Sequence, residues 1–166
     1  MVYNASVGAR LMAQGATSGE LALRDELATL GDVVQVLGVA AATEWLVMQL
    51  FRLEEAGAVT LSTDAADANR LRRETAQMII TRHIDYKVAE LSLFFARFLA
   101  ADYNEVTAGN FGATSVYTAL RAYDVARQAD VRRVERVMET QGYMRRLDEM
   151  RSKACSYEEY KKKGGG

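Results

Sequence analysis

An all-α fold is predicted by three features of the chain. No proline occurs in its 166 residues, so nothing forces a helix to break. Two stretches, Asp64 to Tyr103 and Thr114 to Tyr160, keep helical spacing of apolar residues with almost no breaker inside. Segments rich in small and turn-forming residues, Ala56 to Thr63 and Thr107 to Ser115, punctuate them. At about 1.5 Å rise per residue, each long stretch reaches roughly 60 Å or more. A compact chain of this size is only about 40 Å across. The expected architecture is therefore an elongated helical bundle or helical hairpin with two very long helices and coiled-coil-like packing. Such rods bury their apolar stripes against copies of themselves or against a neighbouring subunit.

The elements follow in order. Residues 1–18 are expected to form an arm or short helix, with Val7, Leu11 and Met12 at near-helical spacing and a break from Gly15 to Gly19. Ser18 can cap a helix over about 19–30, which has Glu20 in its first turn and Leu21, Leu23, Leu27 and Leu30 as apolar positions. Gly31 and Asp32 mark a kink or a fresh start, and a helix over about 32–56 follows. Its run from Val33 to Phe51 is apolar on nearly every side, interrupted by Gln35, Thr43, Glu44 and Gln49 besides a glycine. Gly57 is placed to end that helix, and Ser62, Thr63 or Asp64 can cap the next.

A helix is then expected over about 64–105. Its weaker first half carries Leu71, Thr75, Met78 and Ile79, whereas Ile84, Val88, Leu91, Phe95 and Phe98 alternate steps of four and three as a heptad seam. After a loop around Gly109 and Gly112, Thr114 or Ser115 can cap a last helix over about 114–158. Val116, Leu120 and Tyr123 form one apolar stripe there, and Val131, Val134, Met138, Met144 and Leu147 continue it. Eight arginines between Arg121 and Arg151, with acids interspersed, make this a solvated helix laced with ion pairs. The tail at 161–166, KKKGGG, has no means of burying surface and is expected to be disordered.

Composition narrows the function classes. An apolar fraction of 49% is ample for a core. The net charge is −1, divided as 3 basic and 7 acidic residues through Thr60 and 18 basic and 15 acidic beyond it. That balance gives a dedicated nucleic-acid binder little support. One cysteine, Cys155, and one histidine, His83, exclude an internal disulfide and a Cys/His metal site. No basic region followed by an apolar core opens the chain, so residence in the cytoplasm or within an assembled particle is expected.

Candidate chemical residues are few. His83 lies near Glu74, Asp85 and Glu90, but Ile80 precedes it by three, so the Glu-x-x-His pattern of a di-iron bundle is missing and a structural role is expected. Cys155, beside Lys153 near a helix C-terminus, is expected to be an inert thiol. Glu44, next to Trp45, is the lone acid of the apolar run and needs a partner. It either sits at a helix edge, reaching water or an arginine such as Arg82 or Arg97, or lies in a bilayer-entering segment over 32–51 in which Gly38 and Ala42 form a small-residue pair. Arg70, Arg72 and Arg73, and Arg132, Arg133 and Arg136, are candidates for phosphate contact or for a charged outer face. Gly109 to Gly112 lacks the spacing and the lysine of a phosphate loop. No catalytic residue, metal ligand or cofactor box emerges.

The expected function is that of a non-enzymatic structural subunit of a large homo-oligomer, a ring, tube or sheath, with other structural subunits as further partners. Long Ala-, Arg- and Gln-bearing helices with a short polar tail are in the style of bacteriophage virion and secretion-apparatus components. The expected oligomer contacts are Ile84, Val88, Leu91, Phe95 and Phe98, with Val134, Met138 and Leu147. Two alternatives stand beside this reading: a membrane-inserting conduit or genome-delivery protein using 32–51, and a helical protein that organises nucleic acid.

Overall fold

The computed structural model describes residues 5–163, with side chains described for 7–153 and Lys162. It divides into two compact units, residues 1–131 and 132–166. The described elements are helical: α1 (Ala5–Ala13), α2 (Ser18–Ala22), α3 (Leu30–Leu37), α4 (Val39–Glu55), α5 (Ala65–Arg82), α6 (Val88–Leu99), α7 (Asn104–Thr107) and α8 (Ala113–Lys163). Up to Val131, α8 belongs to the first unit, and from Arg132 to the second.

In the first unit the long helices expected from periodicity are divided, and each division has a local cause. The helix expected over 19–30 is reduced to α2, whose cap is Thr17 rather than Ser18. The Thr17 hydroxyl accepts from the Glu20 N–H at 3.3 Å, and the Glu20 carboxylate accepts from the Thr17 N–H at 3.1 Å. A second capping box, between Thr29 and Asp32, starts α3 at Leu30. The same bonds from Thr29 hold the Asp32 carboxyl below its usual range. The apolar run then breaks at Gly38, where φ is 86° and ψ is 158°, a conformation that is essentially restricted to glycine. Residues 32–56 are therefore two helices, α3 and α4, packed against each other.

The helix expected over 64–105 is likewise interrupted at residues 83–87. Here the backbone pairs with residues 28–31 instead of continuing the helix: Leu30 N–H donates to the Tyr86 carbonyl at 2.8 Å, Gly31 N–H to the Ile84 carbonyl at 2.7 Å, and Val88 N–H to the Ala28 carbonyl at 3.0 Å. Thr29 and Lys87 form an isolated antiparallel bridge. This exchange satisfies the groups that a continuous helix would have used internally. Asp64 caps α5 by accepting from the Asp67 N–H at 2.9 Å. Neither Thr114 nor Ser115 caps α8, which begins one residue earlier, after Gly112.

The core of this unit gathers Leu30 from α3, Leu46, Leu50 and Leu53 from α4, Ile79 from α5, Leu91, Phe94 and Phe98 from α6, and Val116, Leu120 and Tyr123 from α8. Phe94 is at its centre, with ring centroids 5.1 Å from Phe95, 5.4 Å from Tyr103 and 5.5 Å from Tyr123. Burial raises the Tyr103 hydroxyl to about 12. Helix α1 packs on α6, and Gly8 makes this approach close enough that a methyl group there would run into the Ser92 carbonyl.

The second unit is helical from Arg132 to Lys163, so the three lysines of the tail expected to be disordered continue the helix, and residues 164–166 lie outside the described ones. Val134 and Leu147 are partly buried, whereas Val137, Met138, Met144 and Met150 are exposed. Among the described residues no helix is long and apolar enough to cross a membrane. The interruption at Gly38 removes the continuous segment over 32–51 on which the membrane expectation rested.

Candidate functional site

Two arrangements in the first unit merit description as sites. The first is a polar cluster inside the core. Glu90 sits in the first turn of α6 and is fully buried, and its Oε2 accepts from the Lys87 N–H at 3.0 Å, so it caps the helix that carries it. Arg127, on α8, donates from Nε to Glu90 Oε1 at 2.6 Å and from Nη2 to Oε2 at 3.3 Å. The guanidinium also lies 4.1 Å from the centre of the Tyr86 ring. Burial works to lower the Arg127 pKa, and the Glu90 carboxylate more than offsets it, leaving the group above its ordinary value.

Around this pair the remaining polar groups are also partnered. The Tyr86 hydroxyl donates to Asp124 Oδ1 at 2.7 Å, and the Tyr123 hydroxyl donates to the Glu90 carbonyl at 3.3 Å. Both phenols are driven upward chiefly by burial. His83 is buried against Tyr86, with Nδ1 3.8 Å from Asp124 Oδ1, and burial outweighs that carboxylate to lower its pKa. Chemically this is a satisfied network that fastens the start of α6 to α8. Among the described residues no group of three or more His, Cys, Asp and Glu side chains is placed to hold a metal ion.

The second arrangement is an apolar groove between α3 and α4, a concavity of about 640 Å³. Val33, Val36 and Leu37 line it from α3, and Ala41, Trp45 and Met48 from α4, with Asp32, Glu44, Gln49 and Arg52 also in its lining. Gly38 produces it by turning one continuous apolar run into two packed helices whose outer faces stay open. Val36 is 78% exposed and Leu37 is 59% exposed, large values for branched aliphatic side chains.

The chain matches no protein-family model, no curated protein and no solved structure.

Val88, Leu91, Phe95 and Phe98, expected at an oligomer contact, are buried in the core of their own chain, because the interruption at 83–87 swings α6 among its neighbours. Ile84 lies within that interruption, 43% exposed. Val134, Met138 and Leu147 remain on the second unit, Met138 58% exposed. Glu44 is exposed and pairs at 2.7 Å with Arg73, not with Arg82 or Arg97, while Trp45 stands edge-on to Phe95 at 6.3 Å.

In the first cluster named for phosphate contact, each arginine meets a carboxylate of its own chain, as the expectation of a charged outer face has it. Arg70 bonds Asp67 and Glu74, and Arg72 bonds Glu54 at 2.6 Å while lying over Phe51. Arg132, Arg133 and Arg136 are exposed, and the Arg136 Nε donates to the Arg132 carbonyl at 3.2 Å. The Cys155 side chain lies outside the described ones. In the sequence Glu90 stands out only as an acid near His83, and Arg127 and Asp124 carry no signal of their own. The further signal available for Glu90 was an acid placed three residues after Lys87, ahead of an apolar run.

Proposed function

We propose that the chain is a non-enzymatic structural subunit that associates with copies of itself into an extended assembly. The observation that carries this reading is exposed apolar surface on both units: Val36, Leu37 and Met48 at the groove of the first, and Tyr143 and Met150 beside Leu147 on the helix of the second. Apolar side chains gathered at one place on a surface are the usual mark of a docking face.

Charge supports the same reading. Residues 1–131 hold eleven basic and sixteen acidic residues, a net −5, and residues 132–166 hold ten basic and six acidic, a net +4. Opposite charge on two units of one chain favours contact between unlike faces of different copies. A ring, tube or sheath, within a virion or a secretion apparatus, is the setting that such association suits, and coiled-coil-like packing of the long helix α8 against helices of the first unit of another copy is the expected mode.

Multi-angle light scattering of the purified chain at micromolar concentration tests this function. The reading requires a mass of several times 18.4 kDa, and a particle fixed at 18.4 kDa overturns it.

A further inference from the structure

The groove between α3 and α4 has a shape and rim that specify its occupant more closely than self-association alone does. We infer that it receives α8 of a second copy, through the face formed by Tyr143, Leu147 and Met150. This rests on the reading of the chain as a self-assembling subunit and identifies the two surfaces that meet.

An apolar groove flanked by two helices is suited to a third helix whose anchors recur at i, i+4 and i+7. Tyr143, Leu147 and Met150 have that spacing and line one shallow hollow together with Arg146, Glu149 and Lys153. At about 100° per residue, Arg146 and Lys153 border the apolar face on one side, and Met144 and Arg151 on the other. The face is therefore an apolar stripe with a basic border of Arg146 and Lys153 on one side and, on the other, Met144 beside Arg151, which lies 4.0 Å from Asp148. Asp32 and Glu44 on the groove are exposed carboxylates, Glu44 also paired with Arg73 of its own chain, while Arg52 on the groove is opposite in sign to Glu149 on the incoming helix.

Charge also argues for a copy over an unlike partner. A groove on a unit of net −5 and a helix in a unit of net +4 attract when they come from different molecules, whereas groove-to-groove and helix-to-helix pairs place like charges together. A groove-to-helix contact is heterologous: each bound copy still offers a free groove and a free helix, so association repeats. The contact thereby explains how one chain builds an open or closed array.

Two substitutions at exposed positions test the pairing. Leu37→Asp blocks the groove and Met150→Asp blocks the helix, and each is read by sedimentation velocity with helix content checked by circular dichroism. Each should weaken association by about 30-fold or more. An equimolar mixture of the two variants retains one good groove and one good helix, and should stop at a heterodimer. Raising salt should weaken the wild-type assembly, because the borders of the contact are charged. If Leu37→Asp assembles as the wild type does while Met150→Asp does not, α8 pairs with another α8 and this inference fails while the assembly reading stands. Should the wild type itself remain a monomer, both fail. If Leu37→Asp loses its helix signal, Met48→Glu on the opposite wall takes its place, with the same outcomes.

Discussion

Arg127 and Glu90 are joined across the core by a hydrogen bond of 2.6 Å, one partner on α8 and the other capping α6, 37 residues apart in sequence. Glu90 could not be there alone. A buried carboxylate without its cation leaves a large desolvation cost unanswered, and Glu90 has no exposed surface. Arg127→Met should therefore lower stability by about 3 kcal/mol, and Glu90→Gln should restore part of that loss in the double variant. Urea unfolding of the two single variants and the double variant checks this. Losses that simply add would show that the two side chains do not act as a pair.

A neighbouring group supplies a pH dependence. Burial lowers the folded-state pKa of His83 from its ordinary 6.5, despite the Asp124 carboxylate nearby, while Tyr86, Arg127, Arg82 and Asp85 complete its charged and polar surroundings. Below that ordinary value the unfolded chain binds a proton that the folded chain resists. Stability is then full above about pH 6.5 and declines as pH falls through 6.5 toward the lowered pKa. His83→Gln should flatten this part of the stability profile. An unchanged slope in the variant would assign the dependence to other groups.

Thr75 offers the opposite sign of change. Its hydroxyl is buried on α5 with no hydrogen-bond partner, an unusual state for a polar atom in a core. Thr75→Val replaces the hydroxyl with a methyl group of similar shape and should stabilise the fold by about 1 kcal/mol. Thermal unfolding decides it, and a lower midpoint would mean that the hydroxyl is satisfied in solution.

Gly38 sets the geometry of the groove. With φ at 86° and ψ at 158°, a residue with a Cβ is strained there even though the surrounding space is open. Gly38→Ala should cost about 1–3 kcal/mol by strain alone. It should also favour a straight helix through 30–55, measurable as a gain in helix content. Unaltered stability together with unaltered helix content would count against a strained turn at this position.

These particulars show where the sequence was legible. The helical class could be read from the missing proline and the apolar spacing, and Gly57 and Asp64 carry local signals because caps and turns involve near neighbours. The division at 83–87 could not be read, since it is made by hydrogen bonds to residues 28–31, more than fifty positions away. The seam of Val88, Leu91, Phe95 and Phe98 misled for a related reason. Periodicity records that a face is buried, not whether its partner is the same chain or another, and here α4, α5 and α8 supply the cover. The groove was written in the sequence as an apolar run too uniform for a one-sided helix, but its opening depends on the backbone at one glycine.

The central claim is that unlike faces of separate copies attract. Sedimentation velocity of the intact chain over a hundredfold range of concentration, at low and at high salt, addresses it most directly. The account predicts a sedimentation coefficient that climbs with concentration and falls back toward that of an 18.4 kDa particle as salt is added. A single species of that mass, unmoved by concentration and by salt, would contradict it.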